Sequence, residues 1–160
     1  MYIVSSCLLG YPCRYDARSC PFEFLTGKGI REFLIPVCPE VLGGLGIPRR
    51  PAEVRGGDGD DVLAGTARVL DISGRDVTEE YLKGAWISLG IALQSGAKAA
   101  ILKARSPSCG PGSIYDGTFS RTLRPGDGVF AALLRRHGIE VYSEETAREV
   151  LGQLRRSSWS

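Results

Sequence analysis

The sequence predicts an α/β fold whose sheet is mostly parallel, and two observations carry that expectation. Four short runs rich in apolar and β-branched residues, "YIVSS", "FLIPVC", "AKAAILKA" and "IEVYS", read as buried strands. Between them lie segments with helical spacing, and strand, helix, strand, helix in this order is the pattern of parallel strands joined by crossover helices. The expected architecture is a single Rossmann-like domain with helices flanking the sheet, over residues 1–155, followed by a flexible tail over 156–160.

Each element follows from local chemistry. The first strand covers residues 2–6 and ends at Cys7. A polar loop punctuated by Pro and Gly follows, then a helical pattern from Phe22 to Phe33 that Gly27 and Gly29 weaken. "FLIPVC" delivers the second strand to Cys38. Its Pro36 has no N–H to give a ladder, which marks an edge position. From Pro39 to Asp61 the Gly- and Pro-rich chain reads as a long loop, a length uncommon unless functional.

Residues 62–76 read as a small β excursion turning near Gly74. Leu82, Ala85, Trp86, Leu89 and Leu93 recur at helical spacing and define an amphipathic helix from Thr78 to Gln94, stopped by Gly96. "AKAAILKA", the third strand, runs straight into "RSPSCGPG". A helix from Asp127 to Arg136, capped by Asp127 and ended by Gly138, precedes the fourth strand. Ser143 then caps a last helix that places Ala147, Val150, Leu151 and Leu154 on one face.

Composition weighs against several classes, nucleic-acid binding among them without excluding it. A net charge of +2 with 24% charged residues is too weakly basic to point to nucleic acid as the partner. "MYIVSSCLLG" lacks the basic n-region of a signal peptide, and no run approaches the roughly 18 apolar residues of a membrane span. The expected location is the cytoplasm, without a membrane partner; oligomeric state is not encoded in these features.

Five cysteines, Cys7, Cys13, Cys20, Cys38 and Cys109, are an odd number in a reducing compartment, which turns attention from disulfides to metal binding or catalysis. Cys7, Cys38 and Cys109 each follow the carboxyl end of an expected strand, where ligands bind in parallel sheets. Three thiolates with one coordination position left open suit an iron–sulfur cluster. A structural zinc with Cys13 or Cys20 as fourth ligand is the alternative, and plain core packing is the third reading.

The segments "SSCLLGYPCRYD", "VCPEVLGGLGIPRRPAE" and "LKARSPSCGPGSIYDGTF" resemble the signature stretches of a small bacterial family, once catalogued as a domain of unknown function, that includes thiouracil desulfidases. The similarity runs from Met1 to about Tyr142 and is to the single-domain members. It implies a 4Fe-4S cluster held by Cys7, Cys38 and Cys109 with one open iron, and a thiolated pyrimidine base, nucleoside or nucleotide as substrate, converted to its oxo form with release of sulfide.

Chemistry assigns further residues to that reaction. A soft thiocarbonyl sulfur prefers a soft metal centre, and water must then attack the ring carbon. Glu40, two residues after Cys38 and fixed by Pro39, is the candidate general base, on condition that burial tunes it for the task. Ser106 is the candidate proton relay or ring contact, with Ser108 as the second choice. Lys103 and Arg105 are candidate contacts for a substrate phosphate or for the cluster. Cys13 and Cys20 are expected to be bystanders, Cys13 being the first suspect if one ligand is misassigned. The adjacent Arg49 and Arg50 are candidate anion contacts, although paired arginines are more often a solvated surface.

Overall fold

In the computed structural model, which describes residues 1–27 and 29–157, the chain begins with strand β1 (Tyr2–Ser5) and a 3₁₀ turn at Ser6–Leu9. A one-turn helix α1 (Glu23–Thr26), a second 3₁₀ turn (Arg31–Phe33), β2 (Leu34–Val37) and the short helix α2 (Pro39–Leu42) follow. Next come β3 (Ala52–Arg55), α3 (Gly59–Ala64), β4 (Arg68–Asp71) and the long helix α4 (Thr78–Gln94). The chain continues through β5 (Ala99–Leu102), β6 (Ser113–Tyr115), β7 (Leu123–Pro125), α5 (Val129–Arg136), β8 (Glu140–Ser143) and α6 (Ala147–Ser157). Residues 158–160 of the expected tail lie outside the described residues.

The four strands expected from the sequence form one sheet in the order β2-β1-β5-β8, and every neighbouring pair is parallel. β2 lies at the edge, where Pro36 removes no ladder bond from a central strand. Side chains alternate across the sheet with period two. Ile3, Ala100 and Leu102 pack with Tyr81, Ala85 and Leu89 of α4 and Phe130, Leu133 and Leu134 of α5. Val4, Leu34 and Ile101 face the other way, toward Leu25 of α1 and Ala147 and Leu151 of α6. The result is a parallel sheet covered on both faces, and the ends of β1, β2 and β5 converge on one rim.

Several expectations are corrected in detail. The helix expected over Phe22 to Phe33 is broken into α1 and a 3₁₀ turn, because Gly27 takes an extended conformation. The expected loop from Pro39 to Asp61 contains α2, β3 and most of the first turn of α3. The β excursion is real, but its strand β4 pairs antiparallel with the upstream β3, and residues 62–64 are helical. A turn does lie near Gly74, held by Ser73 and Arg75 N–H groups donating to Asp71 Oδ1 at 2.8 and 3.1 Å.

α4 has the expected bounds but a rotated face. Tyr81, Ala85, Ser88, Leu89 and Ala92 are buried, whereas Trp86 and Leu93 are each 54% exposed. Asp127 is not the cap of α5; Gly128 holds that position, and Asp127 accepts from Gly112 N–H at 2.7 Å and pairs with Arg135. Ser143 Oγ does accept from Glu145 N–H at 3.1 Å ahead of α6, and the side chain of Leu154 lies outside the described residues. No helix among the described residues is long and apolar enough to cross a membrane.

Candidate active site

The rim of the sheet collects four of the five cysteines. Cys7 follows β1 inside a 3₁₀ turn, Cys38 forms the N-cap of α2, and Cys109 lies in the loop after β5. All five thiols are free. The Cys13 side chain is buried in the same apolar cluster as Cys7, with Cys38 packed against it. Cys38 Sγ also lies 3.8 Å from the Cys13 carbonyl oxygen. Cys20 is only half-buried, and its N–H donates to the Cys7 carbonyl at 2.9 Å.

Three of these thiols, Cys13, Cys38 and Cys109, are held toward the neutral form. The hydrogen bond with Cys13, then burial, pushes the Cys38 thiol far up. Cys13, lowered by its bond with Cys38 but raised more by Cys7 and burial, rises to about 11. Burial dominates at Cys109, where hydrogen bonds from Ser108 and Ser5 only partly offset it, and the thiol is pushed up to about 12. A free nucleophilic cysteine needs the opposite shift, since the thiolate is the reactive form. The raised values of Cys13, Cys38 and Cys109 therefore weigh against a free nucleophilic cysteine at this rim.

Glu40 sits in the first turn of α2, with Pro39 at the first helical position, and the sequence spaces it correctly for the rim. What holds it there is not visible in the local sequence. A methyl group at Gly84 of α4 would fall on the Pro39 carbonyl oxygen, and one at Gly43 would fall on the Glu80 carbonyl. The bare backbones therefore let α2 and α4 approach closely enough for Tyr81 Oη to donate to Glu40 Oε1 at 2.9 Å. Burial, then the Glu40 charge, pushes the Tyr81 hydroxyl well above its ordinary value, which keeps it a donor.

Arg49 completes the clamp. Its Nη2 donates to Glu40 Oε2 and also to the Cys13 carbonyl at 3.0 Å, with both ion-pair side chains largely buried. Burial disfavours the guanidinium charge, but Glu40 outweighs it and the Arg49 pKa is raised. The reading of Arg49 as a solvated residue is thus overturned, while Arg50 is exposed. A cavity of about 320 Å³ lies against Arg49 and Tyr81 and is lined also by Gly46, Arg50, Arg75 and Glu80. None of the cysteines nor Glu40 lines it.

The Ser106-to-Cys109 loop is set by its own serines and by α5. Ser106 Oγ accepts from the N–H groups of Cys109 at 3.1 Å and Ser108 at 3.2 Å. Two of the N–H groups that a helix start leaves unpaired, those of Val129 and Phe130, donate to the Pro107 and Ser108 carbonyls at 2.9 and 2.8 Å. Buried Ser108 then points its hydroxyl at Glu40 Oε1, 3.3 Å away, with Cys109 Sγ at 3.5 Å and Ser106 Oγ at 3.1 Å. The structure therefore orders the two serines differently from the sequence: Ser108 touches the acid and the thiol, and Ser106 shapes the loop.

Lys103 and Arg105 are engaged elsewhere. Lys103 Nζ pairs with Glu144 at 2.9 Å, both largely buried, and Arg105 pairs with Glu145 at 2.8 Å. Sequence reasoning missed Tyr81, Arg49 and Ser5, whose hydroxyl accepts from Lys103 N–H at 2.9 Å beside Cys109. A zinc tetrahedron draws its ligands around one ion. Among the described residues no group of three or more His, Cys, Asp or Glu side chains is gathered in that way.

Known proteins can be set against this geometry. The solved structure of a [4Fe-4S]-dependent thiouracil desulfidase, TudS, superposes with a TM-score of 0.83 at 44% identity, covering 96% of each chain. The uncharacterized protein YbbK of Bacillus subtilis (strain 168) is 47% identical over 151 residues, 94% of this chain and 100% of that one. A family model described as 2-thiouracil desulfurase matches residues 2–146. With that match along nearly its whole length, the chain belongs to the 2-thiouracil desulfurase family.

Proposed function

We propose that this protein is an iron–sulfur-dependent desulfidase that replaces the sulfur of a thiouracil-type pyrimidine, as base, nucleoside or nucleotide, by oxygen. The observation that carries the reading is the contact chain from Cys109 through Ser108 to Glu40, set among the thiols of Cys7, Cys13 and Cys38. The donor set suits a cluster: soft thiols on three separate segments, Cys7 and Cys109 buried and Cys38 half-buried, at the rim of one parallel sheet. Cys7, Cys38 and Cys109 are the residues that would hold it. When bound, the cluster supplies a soft Lewis-acidic iron for the thiocarbonyl sulfur.

The protein's own side chains supply the rest. Glu40 takes a proton from the attacking water, and Arg49 and Tyr81 fix its two oxygens so that no reorganisation is needed. Ser108, within reach of Glu40, carries protons between that carboxylate and the leaving sulfur, while Ser106 holds the loop. The balance is C=S plus water giving C=O plus hydrogen sulfide, with no electrons transferred. The ion pairs of Lys103 and Arg105 favour a role in fixing the segment after β5 to the start of α6. The single-domain organisation and cytoplasmic location read from the sequence accompany this proposal.

The test is anaerobic reconstitution with iron and sulfide followed by incubation with 2- and 4-thiouracil and their nucleosides and nucleotides. Brown protein with broad absorbance near about 400 nm and sulfide release supports the reading. Colourless protein, or brown protein inert toward every thiolated pyrimidine, contradicts it.

A further inference from the structure

Strand β5 ends at Leu102, and the chain then leaves the sheet through Lys103, Ala104 and Arg105 to build the loop that carries Ser106, Ser108 and Cys109. Arg105 makes the bend. Its φ of 65° lies in the left-handed region, which residues other than glycine hold only where their surroundings fix it. The N–H groups of the two preceding residues both have side chains as partners. Lys103 N–H donates at 2.9 Å to Ser5 Oγ at the end of β1, and Ala104 N–H donates at 2.8 Å to Glu144 Oε2, one residue past the end of β8. The second Glu144 oxygen accepts from Lys103 Nζ at 2.9 Å, with both side chains largely buried. One carboxylate thus holds the side chain of one residue and the backbone of the next at the foot of the bend. The pair of Arg105 with Glu145 is more exposed and adds little.

What lies beyond the bend moves with it. Gly110 N–H donates to the Ser106 carbonyl at 2.8 Å, and a methyl group on Gly110 would fall 2.9 Å from Arg105 N, so the loop is folded tightly against its own start. Inside it, Ser106 Oγ accepts from the N–H groups of Ser108 and Cys109. A change of direction at Ala104 is therefore carried to Ser108, whose hydroxyl lies 3.3 Å from Glu40 on another element. We infer that Glu144 is a positioning residue for the reaction: by gripping Ala104 N–H and Lys103 Nζ it holds the left-handed turn at Arg105, and so sets Ser108 and Cys109 against Glu40. The inference rests on the desulfidase reading above. Glu144 acts through the loop and not on the reacting atoms.

The experiment compares wild type, Glu144→Ala and Glu144→Asp. The aspartate keeps the charge beside Lys103 but withdraws it by one methylene from Ala104 N–H. Amide hydrogen exchange of the iron-free proteins reads the loop without any cluster, and steady-state turnover of the reconstituted proteins on 2- and 4-thiouracil reads the consequence. In Glu144→Ala the amides of residues 104–110 should exchange at least about ten-fold faster, while those of β1, β5 and α4 keep their rates. Its kcat should fall about 10- to 100-fold at equal iron content, with KM within about two-fold of wild type. Glu144→Asp should lie between the two, and it carries the comparison if the alanine protein is unstable. Loop amides at wild-type rates in the variants, exchange accelerated equally in every element, or a loss confined to KM overturns the inference. A wild type without cluster or turnover contradicts the desulfidase reading instead, and exchange in the iron-free protein still decides whether Glu144 holds the loop.

Discussion

Glu40 and Arg49 form a largely buried ion pair that joins the turn after β2 to the segment leading into β3. The same guanidinium holds the Cys13 carbonyl, so one side chain ties the acid to the thiol cluster. Removing Arg49 leaves a buried carboxylate without its counter-charge. Arg49→Ala should therefore destabilise the fold by about 3–5 kcal/mol, read as a shift of the urea midpoint. Arg49→Lys should retain part of the stability, because an ammonium keeps the charge but cannot span both acceptors in a fixed fork. Equal midpoints for wild type and Arg49→Ala would mean the pair contributes nothing.

Glu40→Gln preserves shape and removes the base. Turnover should fall by about 100- to 10,000-fold while iron content is unchanged. Ser108→Ala should lose more activity than Ser106→Ala at equal iron content, since Ser108 alone of the two contacts Glu40. Sulfide release measured alongside iron per protein separates these effects from loss of the site, and the reverse order of the two serine variants would reject the relay.

Gly84→Ala tests the close approach of α2 and α4. Its added methyl would meet the Pro39 carbonyl, so the helices must separate, at a cost of about 1–3 kcal/mol. Because Pro39 precedes Glu40, activity should fall further than stability alone accounts for. Thermal melting and turnover measured below the melting temperature distinguish the two losses.

Asp71 gives a pH dependence. The Ser73 hydroxyl, the principal cause, together with the N–H groups of Arg75 and Ser73, lowers its pKa below the ordinary 3.8, against the opposing effect of burial. A carboxyl lowered in the folded state contributes stability above pH 3.8 that disappears as pH falls through its folded value. The urea midpoint of wild type should drop across that acidic window, and Asp71→Asn should show a flatter acid limb from a lower plateau. Parallel limbs would remove Asp71 as a cause.

The sheet was legible because its signals are local: four β-branched runs, and Pro36 marking the edge strand. The bounds of α4 were legible for the same reason, but its buried face was not, since Trp86 and Leu93 look like core residues and stand exposed. α2, β3 and α3 are too short, at four to six residues, to show a period, and the Gly and Pro around them read as loop. The three rim cysteines follow from strand ends. Tyr81 reaches Glu40 because two helices touch at Gly43 and Gly84, and Arg49 reaches it from the loop before β3, tertiary facts with no sequence signature of their own.

The central claim is that Cys7, Cys38 and Cys109 together hold a catalytic cluster, and the most direct measurement replaces each singly by serine and records iron, acid-labile sulfide and sulfide release under anaerobic conditions. The account expects all three variants to lose cluster and turnover together, with Cys20→Ser unchanged in both. Full turnover by any of the three, or by metal-free wild type, would contradict it.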